Sequence, residues 1–173
     1  QSEIDEYPVN KESDPPSPII IVGSKGAGKS TFINYLFRNN FKESIEKTHP
    51  FVYIDFRDYS NKNFIDYQLQ VVNDILEKIY ENYSTLNLHS NTVLKRIYFK
   101  EIKRNDESIW EHDKLSNPDK YSDRLNSFIE VQLKDKENHF FKLSEYLIRE
   151  RRVRLCVIID NVDQFDLQTQ KDV

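Results

Sequence analysis

The 173-residue chain has three glycines, Gly23, Gly26 and Gly28, and all of them fall in one stretch, GSKGAGKST. It has no methionine and a single cysteine, Cys156. One thiol excludes an internal disulfide framework and points to a reducing, cytoplasmic setting. With Gln1 first and no initiator, the expectation is a processed chain or a piece of a longer one. No apolar run approaches the roughly 20 residues needed to cross a bilayer, and no charged-then-apolar leader is present. Excess charge is scarce too. The net charge is −4, and the first fourteen residues, with five acids and one base, account for it. That leaves no general basic field for nucleic acid. What is present is 38% apolar and 31% charged residues, with 10 Tyr and 11 Phe, the composition of a globular chain rather than a disordered one.

Residues 1–17 read as an acidic polar tail ending in DPPSP, where the prolines bar a helix interior or a central strand. Residues 18–173 read as one α/β unit. PIIIVG is a β-branched run without polar alternation, as expected of a strand buried on both faces. KSTFINYLF then places Phe32, Ile33, Leu36 and Phe37 on one helical face. FVYIDF, residues 51–56, reads as a second strand. Ile65, Leu69, Val72, Ile75, Leu76, Ile79 and Tyr83 recur at helical spacing over 64–83. A short helix is expected over 92–104 and a polar loop over 105–117. Asn117-Pro118 reads as a cap and first residue of a helix reaching about Arg151, with a break near Asn138. RLCVIID, residues 154–160, reads as a third strand, and a helix is expected to open from Gln164. Strand, turn, helix, strand, helices, strand is an α/β alternation. Nearly 100 residues separate the second and third strands, so a helical insertion is expected over about 64–150.

The glycine cluster fits G-x-x-x-x-G-K-[ST] through Gly23, Gly28, Lys29 and Ser30. In that pattern main-chain N–H groups cup a phosphate chain, which a side chain would obstruct or whose backbone angles it would resist. The cradle would span Gly23, Ser24, Lys25, Gly26, Ala27, Gly28, Lys29, Ser30 and Thr31. Lys29 would reach the β- and γ-phosphates, the Ser30 hydroxyl would ligate Mg²⁺, and the helix start would add its positive dipole end. The plainer reading is a glycine-rich turn. Asp160, closing the last apolar strand, would hold the metal through water from the same sheet edge. Its plainer reading is a cap for the following helix.

GSKGAGKS resembles a Walker A motif, and LCVIIDNVD resembles a Walker B. The pair is similar to those of additional-strand P-loop NTPases, particularly STAND and AAA+ ATPases. That resemblance implies a parallel sheet with helices on both faces and a fourth strand between the first and third. The core of this chain would then be incomplete, the N-terminal part of a larger ATPase. It also implies ATP and Mg²⁺ as ligands, self-association or a partner protein, and roles common in bacterial defence and signalling. Asp160, Val162 and Asp163 match the STAND pattern, whereas Gln164 stands where that pattern has an acid. AAA+ ATPases usually place Glu after the Walker B Asp; here that slot is Asn161, which cannot act as a base. Asp163 and Gln164 remain as candidates for orienting the attacking water. The expected function is an ATP-hydrolysing switch or assembly ATPase. The alternative is a nucleotide-gated scaffold with little turnover, and a small-molecule kinase ranks below both.

A GTPase reading fails, because Asn61-Lys62-Asn63-Phe64 lacks the Asp of a guanine reader. Arg149, Arg151, Arg152 and Arg154 are either an arginine finger or a solvated helix end. Lys100, Lys103 and Arg104 read as an exposed helix face, with a contact to nucleic acid as the alternative. Asp55, Arg57 and Asp58 follow the second strand, as a loop salt bridge or as groups positioning ribose, metal or water. Cys156 is expected in the core, and Trp110 partly buried in the polar loop.

Overall fold

The computed structural model describes residues 19–24, 26–37, 50–59 and 67–164. Two short strands lie at its centre, β1 (Phe51–Asp55) and β2 (Cys156–Asp160). They pair in parallel, in a register running from Phe51 opposite Cys156 to Asp55 opposite Asp160. Both are rich in β-branched and aromatic residues, which suit a pleated, half-buried surface. Parity puts Phe51, Tyr53 and Asp55 on one face with Ile158 and Asp160, and Val52 and Ile54 on the other.

The first face meets α1 (Lys29–Tyr35) and the residues just after it; the Phe37 and Phe51 rings lie 5.2 Å apart. The second face packs on a helical layer, α2 (Tyr67–Asn82), α3 (Asn91–Ile97), α4 (Phe99–Asp106), α5 (Glu111–Ser116), α6 (Pro118–Lys134) and α7 (Lys136–Tyr146). Side-chain caps fix several starts. Ser90 accepts from the Val93 amide, Asn117 from Lys120 with Pro118 at the first position, and Asp135 from Asn138. Val52 and Ile54 join Ile75, Ile79, Leu143 and Leu147 in one buried core. His139 sits within it, 1% exposed, its Nε2 2.5 Å from the Tyr80 hydroxyl and its Nδ1 2.6 Å from that of Tyr98.

The outer edge of β1 is closed by side chains of α2 and the turn that ends it. The Tyr83 hydroxyl accepts from the Phe51 amide at 2.8 Å and donates to the Phe51 carbonyl at 3.0 Å. Lys78 Nζ donates to the Tyr53 carbonyl at 2.7 Å. Backbone groups that would otherwise template another strand are thereby satisfied.

Several expectations change. Residues 19–22 of the run expected as the first strand form no strand and pair with none among the described residues, with Ile20 81% exposed. A strand buried on both faces needs neighbours, yet β1 is capped on its outer side and β2 has no second strand partner among the described residues. The helix expected over 92–104 is two helices, broken at Tyr98. The expected polar loop contains α5, whose buried Asp113 meets Lys120 Nζ and Arg124 Nη1, each at 3.0 Å. Trp110 is 6% exposed, edge-on to Tyr121 and Phe128, rather than partly buried. The break expected near Asn138 lies at Asp135, and α7 runs on into a π-helical turn, Leu147–Arg151. In α2 the buried face is Val71, Ile75, Leu76 and Ile79, while Leu69 is exposed. The acidic tail, Ile65, the residues compared with a guanine reader and the helix expected beyond Gln164 lie outside the described residues.

Candidate nucleotide site

The glycine stretch forms a turn that delivers the chain into α1. Gly26 and Gly28 have φ of 80° and 81°, in the left-handed region that residues with a Cβ resist. A Cβ at either position meets nothing within 4 Å, so the backbone angle, not crowding, demands glycine there. At Gly23 a Cβ would lie 3.4 Å from Lys29 Cδ and 3.6 Å from Ala27 Cβ, ordinary van der Waals contacts, so neither backbone angle nor space demands glycine there. The turn closes with the Ala27 amide on the Ser24 carbonyl at 3.1 Å, and the Phe32 amide bonds the Gly28 carbonyl at 2.8 Å. Lys29 curls back over its own loop, donating to the carbonyls of Gly23 at 2.7 Å and Ser24 at 3.2 Å. Ser30 and Thr31 follow in the first turn of α1. Lys25 lies outside the described residues.

Asp160 ends β2 against this turn, and the Ser30 side chain hydrogen-bonds its carboxylate. Both carboxylate oxygens have further partners: Tyr53 Oη donates to Oδ2 at 2.5 Å, and the Asn161 amide donates to Oδ1 at 2.9 Å. Burial would raise the Asp160 pKa, but the bonds from Ser30, Tyr53 and Asn161 outweigh it and hold the carboxyl below its ordinary value. Burial, then Asp160, pushes the Tyr53 phenol up to about 12, so it stays a donor.

A second carboxylate stands beside the first. Asp55 ends β1 opposite Asp160 and grips Arg57, with Nη2 to Oδ2 at 2.5 Å and Nε 3.0 Å from both oxygens. That bond, chiefly, lowers the Asp55 pKa to about 2. Asn161, left-handed at φ 62°, donates its side-chain amide to Asp55 Oδ1 at 2.8 Å, tying the two strand ends together.

Ser30 and Asp160 are thus brought together, with Lys29 on the same loop. The Ser30 hydroxyl and the Asp160 carboxylate are hard oxygen donors, a pair that suits Mg²⁺ alongside phosphate oxygens and water. Asp163 is exposed in the 3₁₀ turn Val162–Gln164 just beyond β2. The arginine cluster is not brought to this edge. Arg149 pairs with Glu150 at 3.4 Å and Arg151 donates to Tyr146 Oη at 3.0 Å, both before β2 begins. The strand spans about 13 Å from Cys156 to Asp160, four rises of about 3.3 Å, and the cluster lies before its start. Of the two readings of Asp55 and Arg57, the salt bridge is formed. Tyr53 escaped the sequence reading; the alternation in FVYID, which puts it on the face of Asp55, was the available signal. A groove of about 750 Å³ runs beside β1, but its lining of Lys78, Glu81, Tyr83 and neighbours includes neither Ser30 nor Asp160. No helix among the described residues is long and apolar enough to cross a membrane.

The chain matches the family described as KAP family P-loop domain over residues 3–172. No curated protein and no solved structure matches it significantly.

Proposed function

This chain belongs to the KAP family of P-loop domains, and from that premise we propose that it binds Mg·ATP through the Gly23–Thr31 loop and acts as an ATP-dependent switch. The observation that carries the reading is the Ser30 hydroxyl resting on the Asp160 carboxylate at the mouth of a left-handed glycine turn. In use, Lys29 exchanges its loop carbonyls for phosphate oxygens, since a charge-assisted bond to phosphate is stronger than one to a neutral carbonyl. Ser30 and Asp160 hold the magnesium, and Tyr53 keeps the carboxylate ionised and aimed. Asp163, with Gln164 beside it, is the candidate for orienting the attacking water. A STAND- or AAA+-like role, in which nucleotide state sets assembly in cytoplasmic defence or signalling, follows from the motif resemblance.

A second reading, binding with little turnover, is favoured by Asn161. The side chain in the slot where related ATPases carry Glu is an amide, bonded to Asp55. Titrating ATP at rising Mg²⁺ tests the site. Affinity should climb with Mg²⁺ in the native chain and be flat for Asp160→Ala. An identical Mg²⁺ response in both would remove Asp160 from the metal. Single-turnover hydrolysis then separates the switch from the scaffold.

A further inference from the structure

We propose that the exposed face of α3 and α4 is a binding surface for single-stranded nucleic acid, separate from the nucleotide loop and beyond its function. Residues 95–104, KRIYFKEIKR, hold five bases and one acid, a local charge of +4 in a chain whose net charge is −4. Backbone bonding carries across the break between the two helices. The Tyr98 amide bonds the Leu94 carbonyl at 3.1 Å, and the Ile102 amide bonds that of Tyr98 at 3.0 Å. Val93, Ile97, Tyr98 and Ile102 are buried in the core. The outward side then carries two rows, Lys95, Phe99, Lys103 and Arg96, Lys100, Arg104, every member exposed. Each step along a row is four residues, a rise of about 6 Å.

Little of this charge is neutralised from within. Glu101, the acid of the run, is held by Lys142 Nζ on α7 at 2.7 Å. Lys95, Lys100 and Arg104 have no ion-pair partner among the described residues. Arg96 meets Glu150 at 4.0 Å, and that carboxylate also holds Arg149 at 3.4 Å. Lys103 meets Glu107 at 3.6 Å. Exposed pairs of this kind are worth little, so a polyanion displaces them readily. Charge alone would suit any polyanion, and Phe99 selects among them. Its ring is 57% exposed in the middle of the cations. An unpaired base can stack on it while phosphates on either side meet Lys and Arg. A duplex keeps its bases stacked on one another and has no use for the ring. An anionic membrane would need a broader apolar face to enter, and Phe99 is the sole apolar member of the two rows.

Fluorescence anisotropy of a labelled oligodeoxythymidine of about 20 nucleotides, titrated with the whole chain without ATP, tests this. Binding should be saturable and weaken by about 20-fold or more between 50 and 200 mM salt, the slope expected when three or more cations each meet a phosphate. Lys100→Gln and Arg104→Gln should each weaken binding and flatten that slope by about 0.7. Phe99→Ala should weaken it by about 5- to 150-fold and leave the slope unchanged, since stacking releases no counterion. All three side chains are exposed, so the thermal unfolding midpoint should stay where it is. Absence of saturable binding at 50 mM salt would overturn the assignment. So would tighter binding of a duplex of the same length, native-like binding by Phe99→Ala, or equal binding to polyglutamate or to phosphatidylserine vesicles. With no ATP in the assay, none of these results bears on the glycine loop.

Discussion

His139 allows a prediction whose size comes directly from its surroundings. It is buried in the helical layer between the hydroxyls of Tyr80 and Tyr98. A neutral imidazole has one donor and one acceptor nitrogen, and both are used. Burial, assisted by the charge of Lys136, lowers its pKa from 6.5 to about 4. The folded state thus prefers the neutral ring, and the unfolded chain takes up the proton first as pH falls. Stability attributable to this residue is fully present above pH 6.5, declines between 6.5 and about 4, and levels off below. A gap of about 2.5 in pKa, at about 1.4 kcal/mol each, gives a loss of about 3.5 kcal/mol across that window. Urea unfolding at intervals from pH 7 to pH 4.5 should show it as a slope of about 1.4 kcal/mol per pH unit in excess of His139→Phe. The variant will be less stable at pH 7, since two tyrosine hydroxyls lose their partner, but its curve should be flatter. Parallel curves for the two proteins would refute the reasoning, because the other histidines and the carboxylates are common to both.

Other expectations follow from single contacts. Tyr83→Phe leaves the Phe51 amide and carbonyl without their shared hydroxyl. A loss of about 1 kcal/mol in thermal unfolding and faster self-association by light scattering are expected; unchanged values would mean that the edge needs no cap. Trp110→Ala removes a buried ring that meets Tyr121 and Phe128 edge-on, and should cost about 3–5 kcal/mol. Amide exchange over α5 and α6 would rise ahead of that in β1 if these rings hold the outer helices in place.

What was legible in the sequence was local. Asn117-Pro118 carries its own cap chemistry, and a helix begins there. The β-branched runs at 51–55 and 156–160 pair as parallel strands. Where a partner distant in sequence decides, local pattern failed. PIIIV looks like a strand by composition, but a strand exists only beside another, and none adjoins it among the described residues. Residues 111–116 look like polar loop until Asp113 finds Lys120 and Arg124 on the next helix. In the candidate site, the glycine pattern singled out Gly23, Gly28, Lys29 and Ser30, and the end of an apolar run singled out Asp160; the structure sets Ser30 beside Asp160. The link from Asn161 to Asp55 joins residues 106 apart and depends on a strand register that no window of sequence contains. The aim of Tyr53 at Asp160 depends on the same register.

The central claim is that this loop grips a triphosphate, and direct calorimetric titration of the folded chain with Mg·ATP tests it most simply. The account predicts saturable one-to-one binding that Lys29→Ala abolishes while the thermal unfolding midpoint stays unchanged, since among the described residues Lys29 bonds only exposed loop carbonyls. Absence of saturable heat in the native chain, or binding that survives Lys29→Ala at full strength, would contradict it.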